Sequence, residues 1–148
     1  MKTTIVRLLR FIAAGSLLSV FALSAVAALQ APKSVTSALR VLNQVVAHTG
    51  RLVAAKDYKN VGGEHGEFTE GAAMLREALR GEPADFVAKV DAALTSAVAA
   101  SESTGKLAAS SDDAEKIAAA HADFAAKVKV VVELFPEDVR PKPRQPKK

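Results

Sequence analysis

The chain carries one short pattern twice. Glu64-His65-Gly66-Glu67-Phe68 is echoed by Ala120-His121-Ala122-Asp123-Phe124, so each histidine is followed two residues on by a carboxylate and three residues on by phenylalanine. The histidines stand 56 residues apart, and the offset persists downstream, where Ala72 matches Val128, Leu75 matches Val131 and Leu79 matches Phe135. Fixed-period self-similarity marks repeated structural units. His65, Phe68, Ala72, Leu75 and Leu79 are spaced by three and four residues, the period of one helix face. A second echo pairs Val35, Ala38, Leu39 and Thr49-Gly50-Arg51-Leu52 with Val90, Ala93, Leu94 and Thr104-Gly105-Lys106-Leu107, at an offset of 55. A one-residue difference in turn length accounts for the slip. The predicted fold is all-α: an up-down four-helix bundle built from two similar αα-hairpins.

The helices read in order. Ser34 is the expected N-cap of the first, whose stripe is Val35, Ala38, Leu42 and Val45, running to about Ala55. Lys56 to Gly63, with Asp57, Asn60 and Gly62-Gly63, reads as the first turn. The second helix ends at Arg80-Gly81, where glycine suits a left-handed closing residue. Glu82-Pro83 restarts the chain, and a third helix runs from about Ala84 to Ala108. Ser110-Ser111-Asp112-Asp113 caps the fourth, with stripe Ile117, His121, Phe124, Val128, Val131 and Phe135, stopped by Pro136.

Outside the bundle the ends carry different signals. Lys2, Arg7 and Arg10 precede an apolar run from Phe11 to Leu23, and Ala25-Val26-Ala27 supplies a small-x-small cleavage site. Residues 1–27 therefore read as a secretory signal peptide, a retained membrane anchor being the competing reading. The domain organisation expected is a leader at 1–27, a bundle at 28–136 and a basic Pro- and Lys-rich tail at 137–148, with Arg140 to Lys148 extended and solvated. The location implied is the periplasm or the medium. Loss of the leader's three cations lowers the formal net charge from +4 to about +1. That removes the main support for a nucleic-acid role, while the basic tail suits contact with an anionic envelope surface. A homodimer is compatible with this architecture. With no cysteine in the chain, there is no disulfide, thiolate site or thioether-linked haem.

The histidines are the one chemical lead. On helices related by a two-fold axis along the bundle, His65 and His121 lie at one level and face inward, roughly one helix diameter, about 10 Å, apart. Two imidazoles so placed can share a transition metal (copper, nickel or zinc) or flank a non-covalent haem. Gly66, Gly71, Ala72 and Ala118 to Ala120 are small enough to leave room for one. His48, on the edge of the first helix's stripe, is a third metal-ligand candidate if the first turn is centred near Asp57. The competing reading is a pair of half-buried histidines, each hydrogen-bonded to a neighbour.

Other chemistry is poorly represented. Glu67 and Asp123 point away from their histidines, about 200° around the helix, and suit ion pairs to adjacent helices. A di-iron site needs Glu three residues before each His, and Gly62 and Ala118 stand there. Met74, matched to Val130, reads as packing rather than a thioether ligand. No G-x-S-x-G, phosphate loop or clustered Ser-His-Asp set is present, so no enzyme activity is expected.

An exported four-helix bundle of this size resembles the periplasmic cytochromes of the c-prime and soluble b type. The resemblance covers architecture, from about Ser34 to Phe135. The Cys-x-x-Cys-His haem attachment of the c-prime family is absent, so no family residue carries over. The function expected from the paired histidines is a periplasmic bundle holding a transition metal or non-covalent haem between the second and fourth helices; the alternative is a cofactor-free helical interaction module of the cell envelope.

Overall fold

A computed structural model describes residues 29–142. Four helices account for most of this span: α1 (Pro32–Ala54), α2 (Tyr58–Ala78), α3 (Ala84–Ser110) and α4 (Ala114–Glu133). The leader expected at 1–27 and the tail residues Arg144, Lys147 and Lys148 lie outside the described residues. The all-α four-helix bundle is as expected. Each helix packs on the one before it in the chain, and α4 closes on α1. Among the described residues no helix is long and apolar enough to cross a membrane.

The helix ends follow local chemistry, with two departures. α1 begins at Pro32 rather than at Ser34, because proline has no amide proton to satisfy and its fixed φ suits the first turn. Ser34 is consequently an exposed residue inside the helix. The first turn is only Ala55, Lys56 and Asp57, so Gly62 and Gly63 lie within α2. Lys56, not a glycine, holds the left-handed position there, at φ 56°. Elsewhere the expected signals act as read. Gly81 takes φ 88° after α2, its carbonyl accepting from the Gln30 side chain at 2.7 Å. Asp113 Oδ1 accepts from the Lys116 amide at 3.1 Å and caps α4.

The apolar stripes meet in two clusters. The larger holds Val35, Leu39 and Leu42 of α1, Phe68 and Leu75 of α2, Val90 and Leu94 of α3, and Phe124, Val128 and Val131 of α4. Phe68 and Phe124 meet edge to face with centroids 4.8 Å apart, so α2 and α4 touch across the core through their rings. The smaller cluster, around Val61, Ala108 and Ile117, closes the other end. The core also reaches beyond Pro136, the boundary drawn from sequence. Val139 is buried in the larger cluster, its carbonyl accepts from Thr36 at 2.8 Å, and Arg140 donates to the Phe135 and Glu133 carbonyls at 2.7 and 3.0 Å. The chain from Glu137 to Arg140 is therefore a fastening for the end of α4, and Arg140, expected to open the solvated stretch, is bound to it. Met74 is not packing either: it and its counterpart Val130 are 48% and 52% exposed.

Candidate functional site

A polar layer separates the two apolar clusters. On α1 it falls between Val45 and Leu52, on α2 between Val61 and Phe68, on α3 between Ala100 and Leu107, and on α4 between Ile117 and Phe124. The buried polar residues of the described chain, Thr49, Glu64, Ser101 and Thr104, all belong to it, as do His48, His65 and His121. The threonines are satisfied within their own helices, Thr49 by the Val45 carbonyl at 2.9 Å and Thr104 by that of Ala100 at 2.8 Å. A helix back-bond of this kind lets a hydroxyl sit in a core without a partner from elsewhere.

Each histidine reaches a different helix. His121 Nε2 lies 3.0 Å from the Val46 carbonyl of α1. A carbonyl only accepts, so Nε2 carries the proton and Nδ1 is the remaining ring nitrogen. His65 Nδ1 lies 3.3 Å from the Ser101 hydroxyl of α3, leaving Nε2. Val46 and Ser101 are themselves matched by the 55-residue offset that relates α1 to α3, so the two histidines reach equivalent positions, one through Nε2 to a backbone carbonyl and the other through Nδ1 to a hydroxyl. Gly50 makes room for the His121 ring, since a methyl group there would stand 2.9 Å from Cε1. Its counterpart Gly105 serves a different approach, that of α3 to the Gly62 backbone of α2.

His48 is drawn to α2. Its Nδ1 stands 3.1 Å from Glu64 Oε2, an ion-pair distance. The pair is out of line for a hydrogen bond, and that buried oxygen has no hydrogen-bond partner among the described residues. Glu64 is the residue that sequence reasoning missed. The buried line on α2 is Val61, Glu64, Phe68, Gly71, Ala72 and Leu75, which puts Glu64 on the stripe and His65 on its shoulder. The spacing of three from Val61 and four to Phe68 was the available signal.

The charges nearby are mostly spent locally. Lys106 holds the Glu102 carboxyl below the usual glutamate range by a hydrogen bond and its charge, and His65 adds a smaller pull in the same direction. Asp123 pairs with Lys127 of its own helix at 3.2 Å, not with a neighbouring helix. Glu67 instead faces a surface groove of about 680 Å³, bordered by Arg40, Asn43, Gln44, His48 and Arg51 along α1 and by Pro141 and Lys142.

The space a macrocycle needs between α2 and α4 is filled one turn from the histidines by Phe68 and Phe124. The small residues do not open any: Gly66, Ala118 and Ala119 are exposed, and Gly71 accommodates Val41. The residues present do not fit a haem in the bundle interior. For a metal ion, no group of three or more His, Cys, Asp or Glu side chains is placed to hold one among the described residues. A site made by His65 and His121 would rest on their two remaining ring nitrogens. No family model, curated protein or solved structure matches this chain significantly.

Proposed function

We propose that this protein is a cofactor-free helical interaction module of the cell envelope, exported by the leader at 1–27 and working through its outer surface. In this reading two αα-hairpins, alike by duplication, stand in up-down order, and the paired histidines fasten them to each other. The observation that carries the proposal is the use made of the imidazoles. His121 is committed to the Val46 carbonyl and His65 to Ser101, while Phe68 and Phe124 close the core beside them. Polar groups buried in a core need partners, and these histidines have them without a ligand.

A second reading keeps a transition metal on His65 and His121. It is favoured by their equivalent connections, each of which leaves one ring nitrogen for coordination. One titration separates the two. Copper(II), zinc(II) and haem are added in turn to the purified protein and to the His65→Ala/His121→Ala variant, followed by the visible spectrum and bound metal. The interaction module predicts no stoichiometric uptake that depends on the two histidines. Uptake of one equivalent, lost in the variant, overturns it in favour of the metal.

A further inference from the structure

The groove on α1 has a composition that the bundle itself does not require. Arg76 is engaged by Asp91 at 2.7 Å, Arg80 by Glu77 at 2.9 Å and Arg140 by backbone carbonyls. Arg40 and Arg51, which both border the groove, have no ion-pair partner among the described residues. Eleven residues separate them on one helix, a rise of about 16 Å. Between them Asn43 and Gln44 bring side-chain amides, His48 brings an imidazole, and Val41, Val45 and Ala47 supply apolar floor. Glu67 contributes one negative charge from α2, and Lys142 a further positive one.

We infer that this groove binds an extended acidic peptide segment of another protein, with carboxylates toward its two ends and a neutral or basic centre. This deepens the interaction reading above and rests on it. About five extended residues span the interval between the arginines, at about 3.3 Å per residue. Carboxylates at the ends meet Arg40 and Arg51, whose forked donors match them. The amides of Asn43 and Gln44 each offer a donor and an acceptor, the complement of a peptide backbone. Glu67 repels a densely charged polymer such as polyphosphate but is compatible with a peptide that carries no charge, or a lysine, at its middle. His48 is held from behind by Glu64 and borders the groove as a further polar contact.

The test is fluorescence anisotropy with a labelled seven-residue peptide, Glu-Glu-Ser-Lys-Ser-Glu-Glu, whose inner and outer glutamates lie about 13 and 20 Å apart when extended. It is titrated with wild type, Arg40→Gln/Arg51→Gln, Arg40→Lys/Arg51→Lys and the control Lys89→Gln, on exposed α3 surface away from the groove. The double glutamine variant is expected to weaken binding roughly tenfold, as each exposed charge pair contributes up to about fivefold. The lysine variant retains part of the affinity, and Lys89→Gln retains all of it. Circular dichroism verifies that each variant is folded. Absence of saturable binding overturns the inference, as does an equal loss in Lys89→Gln or tighter, Arg40- and Arg51-dependent binding of inorganic polyphosphate. None of these outcomes touches the metal titration, so the inference and the reading beneath it fail separately.

Discussion

The His121 ring lies over Gly50, filling the place where any larger residue would carry its Cβ, with Cε1 2.9 Å from that position. The contact lets Nε2 reach the Val46 carbonyl one turn back on α1. A glycine inside a helix costs roughly 0.5–1 kcal/mol relative to alanine. Overpacking a well-filled contact costs about 1–3 kcal/mol. Gly50→Ala is therefore expected to destabilise the protein by about 1 kcal/mol in urea unfolding. In a His121→Ala background the clash is gone, and the same substitution is expected to stabilise by roughly 0.5–1 kcal/mol. A change of sign between the two backgrounds identifies the ring as the cause.

Glu64 gives a prediction in the opposite direction to most core changes. It is 7% exposed, faces a half-exposed histidine and leaves one oxygen without a hydrogen bond. Replacing an incompletely paired buried charge by an apolar side chain of similar size is often neutral or stabilising. Glu64→Met is expected to leave the denaturant midpoint unchanged or raise it. His48→Ala, by contrast, strands the carboxylate and is expected to cost about 1 kcal/mol. In the Glu64→Met background that cost disappears.

Past the end of α4, Val139 and Arg140 carry a structural load that composition alone hides. Val139 is 5% exposed, so Val139→Ala is expected to cost roughly 1–2 kcal/mol by lost burial. Thermal unfolding followed by circular dichroism checks it. A loss indistinguishable from that of an exposed Val130→Ala control would show that Val139 does not help hold the end of α4.

The cap of α4 sets an acid dependence. A hydrogen bond from the Lys116 side chain and the Lys116 amide hold the Asp113 carboxyl below its ordinary value of 3.8. The folded value is depressed, so the stabilisation is present above the unfolded value and is lost as pH falls through the folded one. Lys116, raised by Asp113, is the other half of the same pair, so that one contribution is lost in acid as Asp113 protonates and again in strong base as Lys116 deprotonates. Asp113→Ala is expected to lower the melting temperature slightly at neutral pH, and the difference from wild type is expected to shrink below pH 3.8. A difference that persists unchanged in acid would place the effect in helix propensity instead.

What could be read from sequence follows how local each signal is. The helices, the left-handed Gly81 and the Asp113 cap depend on neighbours within a few residues, and they stand where periodicity and turn chemistry put them. Gly62-Gly63 was misread because paired glycines commonly mark a turn, whereas both lie within α2, where a methyl group at either would meet nothing within 4 Å, and Lys56 takes the turn. The partners of His65 and His121 were not readable from the repeat. Val46 offers only a backbone carbonyl, and Ser101 sits in a run of small residues that carries no pattern. Glu64 was obscured by its neighbour, the repeated histidine drawing the helix axis one residue off the true buried line.

In the proposed reading the two imidazoles are fastenings between helices. Residue-resolved ring-nitrogen NMR of the protein, recorded before and after one equivalent of zinc(II), tests this directly. His121 is predicted to be the Nε2-protonated tautomer, as its bond to the Val46 carbonyl demands, with the ring signals of both histidines unmoved by the metal. A concerted shift of His65 and His121 to metal-bound positions at one equivalent would contradict it.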